Sequence, residues 1–249
     1  MKALFIGKTK IKLESVNSSN NYALKLLKNT KLHEGTIIWA IEQKKGKGQR
    51  GKYWESEKGK NLTFSIIFFP EFLKAEEQFY LSKVISLGVT DFLKNHVENV
   101  SIKWANDIYV NNKKIAGILI ENSIKKEKIV HTVAGIGLNL NQTKFISNAT
   151  NPISLKLLTK NQYDLEKSLN LLCNYIEKRY IDLQLNHFEQ IDKDYLEILY
   201  HYNEYHSYSS KGKTFKAKIK GIAKTGELIL QNKKGEEKKY TFEEISFVN

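Results

Sequence analysis

The chain has 249 residues, 41% of them hydrophobic and 27% charged, a balance that supports one packed domain and a small second one. Its net charge is +13, yet only Arg50 and Arg179 are arginines; a lysine surplus spread along the whole chain argues against sequence-specific nucleic-acid binding, because bidentate readers of bases and phosphates favour arginine. No window nears the ~18 uninterrupted apolar residues of a membrane span, the N-terminus lacks the apolar core of a secretory signal, and the single Cys173 excludes an intrachain disulfide, so a cytoplasmic protein is expected.

Ser18 and Ser19 precede Tyr22, Ala23, Leu26 and Leu27 at helical spacing, which makes one serine the expected N-cap. Thr36–Ile41 reads as a β-branched strand. Gln43–Trp54 then carries three glycines, four lysines and Arg50. Glycines let a backbone approach a ligand and aim several N–H groups at one anion, so this loop is read as a phosphate cradle or as a solvated hairpin. It fits neither the Walker A pattern nor the dinucleotide fingerprint, since no helix is expected after it.

Leu62–Phe69 is apolar on both faces and is expected at the centre of a sheet. Glu76–Lys94 carries Leu81, Val84, Ile85, Val89, Phe92 and Leu93 on an amphipathic helix. Strands follow at Ser101–Trp104, Ile108–Val110 and Ile115–Glu121, with Asn111-Asn112 as the turn. Lys103, Asn106, Asp107 and Lys114 either converge on one face of this hairpin or protect an exposed edge. Gly117 within a β-branched strand points to a close approach by backbone or ligand. In the next strand, Lys128–Leu140, Gly135 and Gly137 alternate and clear one face for a flat ligand, with Asn139 and Asn141 beyond them.

Leu165, Leu169, Leu172, Cys173, Ile176 and Tyr180 form one helical stripe, which makes Cys173 a core thiol rather than a nucleophile. After residue 205 the pattern changes to short strands at Phe215–Ile222, Leu228–Gln231 and Lys238–Phe242, separated by Gly-containing turns. A small barrel appended to an α+β domain is expected.

Taken in order, Ser18-Ser19-Asn20, the Gly46–Trp54 loop, Lys103-Trp104-Ala105-Asn106-Asp107, Lys114–Glu121 and Gly135–Asn141 closely resemble the biotin protein ligases. The resemblance spans nearly the whole chain. It implies an α+β fold: a mixed-sheet catalytic domain related to class II aminoacyl-tRNA synthetases at 1–204 and an SH3-like barrel at 205–249. It also implies that the chain begins directly in the catalytic domain, without the helix-turn-helix of operator-binding members. The implied reaction joins biotin to ATP as biotinyl-5'-AMP, then transfers biotin to a lysine of a biotin carboxyl carrier domain; Mg2+ accompanies ATP, with no dedicated protein cage evident.

By the same resemblance, Lys114, Asp107 and Arg50 are the catalytic residues. Ser18, Ser19, Asn20, Gln43, Gly46, Lys47, Gly48, Gln49, Lys114, Gly117, Leu119, Gly135 and Gly137 surround biotin. Lys52, Trp54, Lys103, Asn106 and Asn139 surround the nucleotide. Asp107 orients or deprotonates the acceptor lysine, or helps to hold Mg2+. Two departures stand out: family loops commonly read Gly-Arg-Gly-Arg where this one reads Gly46-Lys47-Gly48-Gln49, and Ala105 replaces the usual proline. The partners implied are biotin and the carrier domain, with no membrane, no specific nucleic acid and room for a homodimer. The rival readings are a lipoate–protein ligase and a non-catalytic biotin sensor.

Overall fold

The computed structural model describes residues 5–147 and 151–248, with the side chain of Arg50 outside that description. Its first sheet gathers the β-branched and aromatic runs: β1 (Lys10–Leu13), β2 (Ile37–Ala40), β3 (Leu62–Phe68), β4 (Val100–Lys103), β5 (Asp107–Val110), β6 (Lys113–Lys125) and β7 (Lys128–Leu138). The order across the sheet is β1-β2-β3-β7-β6-β5-β4. β1 and β2 run parallel and the remaining neighbours antiparallel, so the sheet is mixed. Every residue of β3 is buried, in keeping with a strand that has protein on both faces. β6 and β7 form a long hairpin that sets Gly117 opposite Gly137 and Leu119 opposite Gly135, so bare backbone lines up across two strands.

Among the described residues, five α-helices cover this sheet: α1 (Ser19–Asn29), α2 (Phe79–Lys94), α3 (Leu155–Thr159), α4 (Leu165–Gln184) and α5 (Phe188–Glu197). α1 packs on one face, where Ala23 meets Ile38, Ile67 and Val133. The alternate residues of the same strands, Phe64, Ile66 and Phe68, join Val84, Phe92, Leu172, Ile176 and Tyr180 in the main core on the other face. α2 and α4 approach closely because Gly88 has no side chain; a Cβ there would lie 2.7 Å from Ile176 Cα. Cys173 is buried in this core as expected, and burial pushes its thiol up to about 12.

Sequence periodicity misplaced some boundaries. The helix expected from Glu76 begins at Phe79, because Ala75–Glu77 is a separate 3-10 turn closed by the Lys74 N–H on Glu77 (3.1 Å). α5 is set off from α4 by Asn186, which takes a positive φ of 60°.

A second, antiparallel sheet holds β8 (Tyr205–Ser210), β9 (Lys213–Ile222), β10 (Leu228–Asn232), β11 (Glu237–Tyr240) and β12 (Ser246–Phe247), in the order β11-β10-β9-β8-β12. It is fastened to the first: the Trp104 indole N–H donates to the Gly226 carbonyl (2.9 Å). Gly226 has a φ of 103°, and a Cβ there would meet the Phe79 ring at 2.6 Å, so only glycine fits this contact. Among the described residues no helix is long and apolar enough to cross a membrane.

Candidate active site

The two sheets and the start of α1 enclose a cavity of about 630 Å³. At one end stand three polar residues that the N-terminus of α1 buries almost completely: Ser18, Ser19 and Asn20 are each 3% exposed. Ser18 is the N-cap and accepts from the Asn21 N–H. The Ser19 N–H donates to Gln43 Oε1 (2.7 Å). Asn20 Nδ2 donates to Glu121 Oε2 (2.8 Å) and to the Leu119 carbonyl (3.2 Å). The Ser65 hydroxyl donates to Asn20 Oδ1 (2.6 Å) and lies 2.7 Å from Ser19 Oγ. Gly135 is what admits this amide, since a Cβ there would collide with Asn20 Oδ1. The end of the cavity is therefore a set of polar groups held rigid by each other, the condition under which buried polar atoms discriminate between ligands.

The glycine loop folds as a tight hairpin. The Gly48 N–H donates to Lys52 O (2.7 Å), the Trp54 N–H to Gly46 O (3.0 Å), and Lys47 pairs with Tyr53 as a bridge. Of the two readings of the loop, its own hydrogen bonds show the hairpin: the Gly48 N–H closes the loop on itself. Gly46 does not line the cavity; its bare Cα lets Trp54 close in. Lys47, Gly48, Gln49, Lys52 and Trp54 do line it. Lys47 Nζ donates to Asn21 Oδ1 (2.9 Å), tying the hairpin to α1. Arg50, expected to be catalytic, has its side chain outside the described residues.

The strand glycines have a definite occupant. The indole of Trp54 spans Gly117 and Gly137, and a Cβ at Gly117 would lie 3.0 Å from Trp54 Cζ3. The face expected to be cleared for a flat ligand thus carries the protein's own ring, which becomes a wall of the cavity.

Opposite this ring, a register shift between Ile108 and Tyr109 in the β5–β6 ladder brings two charges together. Lys114 Nζ lies 2.7 Å from Asp107 Oδ1, each about one quarter exposed, and 5.6 Å from the Trp54 ring centroid. Asn106 follows a cis Trp104–Ala105 peptide; its Nδ2 donates to the Ile118 carbonyl (2.5 Å), which locks the turn to β6. Asn139 likewise donates to the Ile153 carbonyl (3.0 Å). Lys103 Nζ sits among three rings, 4.9 Å from Tyr109, 5.6 Å from Tyr200 and 4.9 Å from Phe247. Burial lowers its pKa, the Asp107 carboxylate opposes that, and the neighbouring Lys114 and Lys52 add to it.

Apart from Gly46 and Arg50, the expected site residues all line this one cavity. Sequence reasoning missed Ser65, Glu121 and Glu55. Ser65 was legible as one of two hydroxyls, with Thr63, inside an otherwise apolar strand, and Glu121 as a carboxylate after a run of Ile and Leu. It also missed Phe242, Ile245, Ser246 and Phe247, which the second sheet contributes to the wall; nothing local in the sequence signals that contact. Among the described residues, the buried polar atoms on the wall without a hydrogen-bond partner within the protein include Gln49 Oε1, Trp54 Nε1 and Asn139 Oδ1. Unpaired atoms of this kind are costly unless a ligand meets them.

A polar-ended slot that leads to a lysine–carboxylate pair, roofed by an aromatic ring on bare backbone, defines a domain built to hold a small acid beside a second anion. Residues 13–139 match the biotin/lipoate A/B protein ligase family, and the chain belongs to that family. A biotin–[acetyl-CoA-carboxylase] ligase of Paracoccus denitrificans is 32% identical over 169 residues, which cover 64% of this chain and 68% of that protein. A bifunctional ligase/repressor, BirA, of Bacillus spizizenii is 26% identical over 234 residues, 92% of this chain and 71% of that one. Among solved structures, the biotin protein ligase of Aquifex aeolicus in complex with biotin and ATP superposes with a TM-score of 0.79 at 25% identity, covering 96% of this chain and 98% of that one.

Proposed function

We propose that this chain is an ATP-dependent ligase that activates biotin and transfers it to a lysine of a biotin carboxyl carrier domain. The observation that carries this reading is the convergence of Lys103, Lys114 and Asp107 on one cavity whose far end is the rigid polar cluster of Ser18, Ser19, Asn20 and Gln43. A cluster of fixed donors and acceptors suits the polar ring system of biotin, and two ammonium groups suit its carboxylate and the α-phosphate.

In the first step a carboxylate oxygen of biotin attacks the α-phosphorus of ATP. An O–P bond forms, the bond to the β-phosphate bridging oxygen breaks, and pyrophosphate leaves with that electron pair. Two anions must be brought into contact, so the protein's contribution is orientation and positive charge. Lys114 is assigned to the carboxylate and α-phosphate, and Lys103 with Lys52 to the phosphate chain. In the second step the neutral amine of the carrier lysine attacks the acyl carbon, an amide bond forms, and AMP leaves. Asp107 orients the amine and accepts its proton.

The metal enters as part of the substrate MgATP. Of the two carboxylates on the cavity wall, Glu55 is engaged by backbone N–H groups and Asp107 by Lys114, so the ion is assigned to the triphosphate itself rather than to a protein carboxylate. Mg2+ would neutralise phosphate charge there. The remaining assignments belong to the same reading: biotin beside Lys47–Gln49, Gly117, Leu119, Gly135 and Gly137; nucleotide beside Trp54, Asn106 and Asn139; a catalytic part at 1–204 and a second part at 205–249; a cytoplasmic setting; room for a homodimer; and no sequence-specific nucleic-acid partner.

The test is ATP–pyrophosphate exchange with purified chain. Exchange that requires biotin and is not supported by lipoate is expected. Exchange supported by lipoate alone would replace the acid, and none with either acid would remove the catalytic reading.

A further inference from the structure

Outside the cavity, His201, Glu204 and His206 meet on the segment that joins the two sheets. His201 Nδ1 lies 3.8 Å and His206 Nε2 3.0 Å from the same Glu204 oxygen, and one donor atom from each residue lies within 4.8 Å of the others. The two imidazoles are stacked, with centroids 3.4 Å apart. A tetrahedral ion with metal–ligand distances of about 2.0–2.2 Å separates its donors by roughly 3.3 Å, and the 3.0 and 3.8 Å separations bracket that value.

The backbone fixes this grouping from both sheets: beside His201, the Tyr200 N–H donates to the Ile102 carbonyl of β4 (2.9 Å). His206 lies on β8 opposite Ala217 of β9, while His201 and Asn203 take positive φ values of 62° and 59° in the turn before it. The Asn203 N–H donates to the Ile219 carbonyl (3.0 Å), which pins the turn to β9. Non-glycine residues reach the left-handed region at a cost, and here the outcome is one imidazole laid over another beside a carboxylate.

We propose that His201, Glu204 and His206 form a binding site for a divalent first-row transition ion, Zn2+ by its donor set, at the junction between the two sheets. Two imidazoles and one carboxylate leave a position for water, which the exposure of Glu204 supplies (68%). An ion bonds near the plane of each imidazole, and the rings are only 27° apart, so ligation turns both about their Cβ–Cγ bonds; side-chain exposures of 23% and 32% leave room for that. The ion would hold the joint between the sheets. It would also brace the active-site wall, since His201 packs on Tyr200 with centroids 3.7 Å apart and Tyr200 is one of the rings around Lys103. None of the three ligands lines the cavity, so this site is separate from the Mg2+ that travels with ATP.

The experiment titrates the full chain, stripped with chelator, with Co2+ and with Zn2+. Expected are one equivalent of Co2+ with the ligand-field bands of a nitrogen–oxygen site, loss of those bands on adding Zn2+, and a Zn2+-dependent rise in Tm. His206→Gln and Glu204→Gln, both at partly or largely exposed positions, should weaken binding by about 100-fold or more, beyond what loss of an outer-shell contact does. His187→Gln, at a half-exposed histidine elsewhere, should leave it unchanged. No saturable one-to-one binding, or wild-type affinity in His206→Gln with a native Tm, would overturn the proposal.

Discussion

Trp54 lies across Gly137 so closely that a Cβ on that glycine would overlap the indole. The β6–β7 register sets Gly117 directly opposite, and together the two glycines make a seat for one ring. Gly137→Ala should therefore lift the indole off the strand and narrow the cavity. About a 10²-fold fall in kcat/KM is expected, the scale of a misplacement near 1 Å. The test pairs steady-state kinetics with near-UV circular dichroism of the tryptophans. Wild-type kinetics in a folded Gly137→Ala would show that the seat does not matter.

Lys114 and Asp107 form an ion pair at 2.7 Å, and the two steps of the reaction should separate them. Lys114→Ala should lower biotin-dependent pyrophosphate release by about 10²–10³-fold, the scale of one lost transition-state electrostatic contact. Asp107→Asn should leave adenylate formation within reach of wild type but slow transfer to the carrier lysine. Single-turnover assays that follow adenylate and biotinylated carrier in parallel decide this, and equal slowing of both steps by Asp107→Asn would refute the division of roles.

Much of this arrangement was legible in the sequence because it is local. Asp107 opens β5 and Lys114–Glu121 lies in the adjacent antiparallel β6, so their chemistry is fixed by a register that a short turn sets. The doubly buried Leu62–Phe68 announced a central strand in the same way. What could not be read depends on distant contacts. Trp54 takes its place only because β7, some eighty residues later, offers bare backbone. Phe247 reaches Lys103 only because the second sheet folds back onto the first. The loop's glycines left two readings open for a related reason: composition reports that a backbone is free to approach something, not whether that partner is a phosphate or the loop's own return strand.

Glu55 governs the segment after β7. Its carboxylate accepts from the backbone N–H of Ile146 (3.0 Å) and Ser147 (2.8 Å) and from Gln142 Nε2 (3.0 Å), and so holds Phe145 and Ser147 against the cavity. Burial alone would raise its pKa, but the hydrogen bonds from Ser147, Ile146 and Gln142 outweigh it, so the group titrates below its ordinary 4.5. A carboxylate lowered on folding contributes stability that is present above the unfolded value and lost as pH falls through the folded one. Wild type should therefore exceed Glu55→Gln in Tm by a constant margin above pH 4.5 that closes on acidification. At neutral pH the variant should raise KM for ATP by about tenfold, the order of one charge-assisted hydrogen bond. A Tm margin independent of pH would contradict the assignment.

Gln49 stands where the sequence resemblance leads one to expect arginine, and its Oε1 is buried on the cavity wall without a partner in the protein. An amide at this position offers no charge to an adenylate phosphate, whereas a guanidinium offers five donors in a fixed fork. Gln49→Arg should therefore retain the reactive intermediate longer. A hydrogen bond to a charged group contributes about 1.5–3 kcal/mol, so the rate of biotinyl-adenylate release should fall by about tenfold or more. The measurement is a chase of preformed labelled adenylate with excess unlabelled biotin. Proximity-independent biotinylation of bystander lysines should fall in parallel, because it depends on the same escape. Identical release rates for the two proteins would mean that the hairpin, closed on itself through Gly46 and Gly48, retains the intermediate by shape alone.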